Sequence, residues 1–136
     1  MFKNDTSERK ELNQLCYEIR GALFEVHKHL GPGLLESIYE EASVIEISSR
    51  SLKVKRQMSV PVYYKDQLLE TRFRLDLLVE GKVLLELKSV EALHPVDLKK
   101  TTNYLRLTDT RIGYLVNFNV TFLEDRKSII RLLNDF

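Results

Sequence analysis

The sequence predicts an α/β chain of the α+β kind, helices packed against a central mixed β-sheet. Three observations carry this. Residues 8–30 and 34–49 repeat apolar side chains at helical spacing, and residues 72–88 alternate apolar and charged ones at a period of two. Residues 111–118 form a largely apolar run after a proline-opened helical stretch, the order of a right-handed strand–helix–strand crossover.

The first helix runs from about Glu8 to Leu30, capped by Thr6 or Ser7, with Leu12, Leu15, Cys16, Ile19, Leu23, Val26 and Leu30 along one face. Cys16 falls in that stripe and reads as a buried, inert thiol. His27 and His29 near the helix end have no cysteine or acid at ligand spacing and read as structural or solvated. Gly31-Pro32-Gly33 stops this helix and starts the next, about Leu34 to Ser49, with Leu34, Leu35, Ile38, Ala42 and Ile45 as its expected buried stripe. Glu36, Tyr39 and Glu40 fall on another face, and Glu36 sits in the first turn, where the helix dipole favours a carboxylate.

From Leu52 the period changes. Leu52 to Tyr64 reads as one or two extended segments, and Pro61 marks an edge or a bulge. Lys65-Asp66 turns into Leu68 to Val79, the first arm of a hairpin whose second arm is Lys82 to Lys88. In this hairpin Phe73, Leu75, Leu77, Val79, Val83, Leu85 and Leu87 are all odd-numbered and apolar, whereas Arg72, Arg74, Asp76, Lys82, Glu86 and Lys88 are even-numbered and charged. A two-residue loop would mix the two sets, so the pattern requires an odd-length loop or a bulge, with Gly81 supplying a positive φ. That register stands Asp76, Glu86 and Lys88 together on one face. His94-Pro95 then opens a helix to about Leu107. Arg111 to Phe118 is a strand buried on both faces, and Lys127 to Leu133 is a last strand or a helical turn.

The 136 residues are read as one domain, 1–136, with Met1 to Asp5, and up to residue 7, expected to fray. A net charge of +1 gives no general footprint for nucleic acid, although a local patch can still form. One cysteine, no signal-peptide core and no apolar run of about 18 residues point to a reduced, cytoplasmic protein with no membrane partner.

Two acids and a lysine held by backbone suit metal-assisted hydrolysis. Carboxylate oxygens bind Mg²⁺ or Mn²⁺, Lys88 can orient water or offset phosphoryl charge, and Glu36 can add an outer ligand. The competing structural reading is a solvated face of cross-strand ion pairs among Arg74, Asp76, Glu86 and Lys88. Against it, Glu86 and Lys88 stand within Val83-Leu84-Leu85 and Leu87, a run suited to a central strand, where idle charge is costly.

Gly33-Leu34-Leu35-Glu36-Ser37-Ile38-Tyr39 matches the signature GxxExxY, and with Asp76 and Glu86-Leu87-Lys88 the chain resembles the GxxExxY proteins of the PD-(D/E)XK nuclease-like superfamily. The resemblance runs from about Ile19 to Arg131 and takes in Gln57, Asn103-Tyr104-Leu105 and Gly113 to Phe118. It implies a restriction-endonuclease-like core and a Mg²⁺- or Mn²⁺-dependent nuclease acting on DNA or RNA. Asp76, Glu86 and Glu36 would be metal ligands and Lys88 the catalytic lysine. Lys100, Tyr104, Arg74 and Tyr39 would be nucleic-acid contacts. The superfamily often places a glutamine four residues before a tyrosine on the helix after the ExK strand. Here Lys100 stands before Tyr104, so either Lys100 meets phosphate directly or activity is weakened. The alternatives are a non-catalytic nucleic-acid-binding or regulatory module and a homodimeric interaction domain using the edge near Val60 to Tyr64.

Overall fold

The computed structural model describes residues 6–134; Met1–Asp5, expected to fray, lie outside them. Helix α1 spans Thr6–Leu30, so residues 6 and 7, expected as caps or as frayed chain, are helical. It is followed by α2 (Glu36–Ser49), β1 (Val54–Val60), β2 (Tyr63–Tyr64), β3 (Gln67–Leu68), β4 (Phe73–Val79), β5 (Val83–Lys88), α3 (Pro95–Leu107), β6 (Ile112–Asn117) and β7 (Ile129–Leu133). The main sheet has the order β1-β4-β5-β6-β7. Only the β5–β6 pair is parallel, joined through α3 as expected. The result is a mixed five-stranded sheet flanked by helices, consistent with a restriction-endonuclease-like fold. Among the described residues no helix is long and apolar enough to cross a membrane.

Pro61 ends β1, which is an edge strand, and β2 and β3 form a small separate hairpin. The long first arm expected from Leu68 to Val79 is therefore interrupted, and only its part from Phe73 joins the main sheet. Asp97 accepts the His94 N–H at 2.9 Å at the start of α3, fixing the turn that Pro95 opens.

The sheet is covered on both faces. On one, Leu12, Cys16, Ile19, Leu23 and Val26 of α1 and Tyr39 and Ile47 of α2 pack on Leu77, Val79, Val83, Leu85, Leu87 and the even-numbered residues Ile112, Tyr114 and Val116 of β6. On the other, Leu105 of α3 meets Val60, Leu75, Leu78 and Leu84. The stripe read for α1 is the buried one. That of α2 is not: Leu35 and Ile45 are largely exposed, and Tyr39, Glu40, Ser43 and Ile47 face inward instead. His27 is buried with Nε2 at 2.7 Å from the Val120 carbonyl, and His29 pairs with Glu25 on the surface.

The hairpin turn has the odd length its pattern requires. Val79 pairs with Val83 across Glu80-Gly81-Lys82, with φ of +54° at Glu80 and +65° at Gly81. The strict odd-in pattern, however, holds only to Leu77. Leu75 and Phe73 lie with Leu78 and Leu84 in the second core. The cause is a local break: Gln57 of β1 adopts φ +52° opposite Asp76, and neither residue joins the ladder that resumes on both sides of them. The pleat loses a step there, and the faces exchange.

Gly113 lets α3 approach the sheet. A Cβ at this position would lie 2.9 Å from both Leu105 Cδ2 and the Leu84 carbonyl oxygen. Gly113→Ala is therefore expected to destabilise the fold by about 1–3 kcal/mol, read as a lower denaturant midpoint at unchanged slope.

Candidate active site

The site forms where β4 and β5 part. The ladder between them ends at Leu77 and Leu85, and beyond it the side chains of Asp76 and Glu86 take the place of carbonyl acceptors. The Asp76 N–H donates to Glu86 Oε1 at 3.1 Å, and the Leu87 N–H donates to Asp76 Oδ2 at 2.8 Å. The two carboxylates are thus crossed between neighbouring strands, each fixed by a main-chain donor of the facing segment. Glu86, central in the sheet, is 8% exposed.

Burial pushes the Glu86 carboxyl up to about 8, helped by the charge of Asp76; the Asp76 N–H, Lys88 and Lys100 pull the other way. Burial likewise raises Asp76, opposed by the Leu87 N–H, reinforced by Glu40 and Glu36 and again opposed by Lys88. Among the described residues no ion pair joins either acid to Arg74 or Lys88. The solvated ion-paired face is accordingly not what forms. Two desolvated acids held side by side without a salt bridge are unfavourable for stability alone.

Helix α2 closes one side. Its Glu36 accepts the Ser89 N–H at 3.4 Å, and Ser89 Oγ donates to the Leu34 carbonyl at 2.6 Å, tying the helix start to the end of β5. One turn on, buried Glu40 pairs with Arg56 Nε at 3.3 Å and accepts from Gln57 Nε2 at 2.6 Å. Gln57 also donates to Asp76 Oδ1 at 3.4 Å, so its unusual backbone places one amide between two acids. Reading the sequence for function missed Glu40 and gave Gln57 no role. The signal for Glu40 is its place four residues after Glu36 on the same helix; no local signal marks Gln57.

The expected residues therefore fare differently. Asp76 and Glu86 meet directly, Lys88 stands half-buried where its charge acts on both, and Lys100 of α3 acts on Glu86. Glu36 stays at the margin: among the described residues no three His, Cys, Asp or Glu side chains are gathered as a metal-holding group. Glu36 Oε2 meets the Ser89 amide, and the charge of Glu36 still acts on Asp76. Tyr104 stacks on Phe73 with ring centroids 4.3 Å apart, Lys100 Nζ lies 5.9 Å from the Tyr104 ring, and Arg74 is exposed next to Phe73 on β4.

Tyr39 cannot be a nucleic-acid contact. It is fully buried, stacked on Phe118 at 4.5 Å, with its hydroxyl donating to the Gly31 carbonyl and accepting from the Leu34 N–H. It braces the glycine-rich connection that aims Glu36. Tyr39→Phe is expected to lower stability by about 1–3 kcal/mol, since it orphans both main-chain groups. Nucleic-acid binding per folded molecule, measured by anisotropy, is expected to stay unchanged.

The donor set of Asp76 and Glu86 fits a small, hard divalent cation. Both are oxygen donors, both are fixed by backbone, and a positive charge between them would relieve the repulsion that raises them. Two carboxylates with room left for water and substrate phosphate are what Mg²⁺ ordinarily takes from a protein. The family model described as the PD-(D/E)XK nuclease superfamily matches residues 13–132 of the chain. No curated protein and no solved structure gives a significant match.

Proposed function

Because the chain belongs to the PD-(D/E)XK nuclease superfamily, we propose that it hydrolyses phosphodiester bonds of DNA or RNA with Mg²⁺ or Mn²⁺ held by Asp76 and Glu86. The observation that carries this is the crossed pair of carboxylates, Glu86 buried and Asp76 half-buried, without a salt bridge. Within the superfamily, Gly33, Glu36 and Tyr39 support a place in the GxxExxY branch. The ion, when bound, supplies Lewis-acid polarisation of the phosphate and a lowered pKa for water. Lys88 donates to a phosphoryl oxygen on which charge develops. Glu36, anchored on the Ser89 amide, keeps an oxygen to accept a hydrogen bond from water. Gln57 holds Asp76 in place through Oδ1, and Glu40 holds Gln57. Lys100, beside Glu86, serves a neighbouring phosphate.

The reading is tested with purified protein, plasmid, single-stranded DNA and RNA in Mn²⁺. Lys88→Ala is expected to slow cleavage about a hundredfold or more, by loss of a transition-state donor. Wild-type turnover no faster than this variant, or unaffected by chelator, would overturn it. A second reading, a non-catalytic nucleic-acid-binding module, is favoured by Lys100 standing where a glutamine is usual. Salt-sensitive binding without cleavage would select it.

A further inference from the structure

Two cavities of about 520 and 440 Å³ open side by side between α1 and the edge strand β7, sharing Arg20, Tyr114 and Arg131 in their walls. Tyr114 and Arg131 are register partners on β6 and β7, so their side chains leave the sheet on one face. Arg20 enters from α1 and Arg126 from the turn before β7. The one carboxylate in the walls, Asp125, engages Arg20 Nη1 at 2.6 Å. Among the described residues no ion pair engages Arg126 or Arg131. Three guanidinium groups thus stand against one acid in a chain whose total charge is +1.

The floor is equally unusual. Tyr114 is 1% exposed, and its hydroxyl finds no hydrogen-bond partner of ordinary geometry. The Cys16 thiol lies beside it, and the charges of Arg131 and Arg20 act on both groups. Exposed guanidinium groups without an acid partner beside this floor favour a ligand that carries negative charge. Arginine forks match phosphate oxygens, and the exposed ring of Tyr17 on the rim offers a face to a base. The volume suits a ligand of nucleotide size.

We propose that this groove binds the phosphate of a nucleotide, with Arg131 and Arg126 on the phosphate oxygens and Tyr17 flanking the base. The groove is separate from the acids. In the sheet order β7 stands two strands from the β5 of Glu86 and three from the β4 of Asp76, roughly 10 and 14 Å at about 4.8 Å per strand. The proposal does not rest on hydrolysis.

The test is calorimetric titration of the full chain, without divalent metal, with adenosine 5′-monophosphate, with inorganic phosphate and with a 5′-phosphorylated single-stranded tetranucleotide. Arg131→Ala is expected to weaken mononucleotide binding at least tenfold, and Arg131→Lys to fall between it and wild type. Lys65→Ala, which removes an exposed cation elsewhere, is expected to leave it within twofold. Circular dichroism establishes that each variant is folded. A tetranucleotide that binds at least as tightly as the mononucleotide identifies a strand phosphate as the source, and a preference for the mononucleotide identifies a free nucleotide; either supports the groove. Absence of binding by all three probes at millimolar concentration, or an Arg131→Ala affinity equal to that of Lys65→Ala, would overturn it.

Discussion

Glu86→Gln is expected to abolish metal-dependent hydrolysis while leaving a protein that is more stable than wild type above pH 8. Glutamine keeps the shape of the side chain, and its Oε1 can still accept the Asp76 N–H that Glu86 accepts at 3.1 Å. What it loses is the charge that would hold a cation. Loss of an outer-shell partner already lowers metal-site activity about 10–100-fold, so removal of a ligand is expected to exceed about a hundredfold. What it gains is relief from burying a carboxylate beside Asp76, the two effects that lift Glu86 most. Each kcal/mol of gain in a chain of this size corresponds to roughly 3–6 °C in melting midpoint. Melting wild type and variant at pH 9 and pH 6 checks it. A variant less stable than wild type at pH 9, or still cleaving in Mn²⁺, would show that Glu86 is a structural acid only.

The second large effect is the pH dependence of the metal-free protein. Glu86 titrates at about 8 when folded and near its ordinary value, well below that, when unfolded. Between those limits the folded state holds a proton that the unfolded state has released. More protons on the native side mean that stability falls as pH rises. The loss spans about pH 5 to 8 and levels off above. Asp76, raised for the same chief reason, adds to it with the same sign. One such proton gives a maximal slope of about 1.4 kcal/mol per pH unit, so the window holds a few kcal/mol. Denaturant titrations across this range are expected to show the decline in wild type and a much flatter curve in Glu86→Gln. Added Mn²⁺ competes with the proton, so its stabilisation is expected to grow with pH. A wild-type curve that rises from pH 5 to 8 would mean the two acids are solvated or paired.

The parts of the fold that were legible in the sequence are those where period and burial agree. The stripe of α1, the turn at Glu80-Gly81, the proline at the head of α3 and the continuous apolar run of β6 each depend on one local rule, and each stands as the rule implies. The meeting of Asp76 and Glu86 was legible for the same reason, since alternation and an odd loop leave few registers. What escaped depends on the site itself. The inward face of α2 carries Glu40 and Ser43, which no apolar periodicity selects, because Glu40 is buried to meet Arg56 and Gln57 rather than to leave water. The exchange of faces at Asp76 follows from a left-handed glutamine, a residue with no particular preference for that conformation. The contact of Glu36 with the Ser89 amide is equally invisible in the sequence, since the two residues lie far apart along the chain.

The crossed bonds at the strand junction make the amide protons of Asp76 and Leu87 resident witnesses to whatever reaches the two acids. Anything that draws electron density from those oxygens, whether proton, ion or substrate, registers in the resonance and exchange rate of two identifiable backbone positions. Chemistry and architecture are wired together there, and truncating either acid to alanine would unzip sheet structure along with any lost turnover, so isosteric amides are the cleaner instrument.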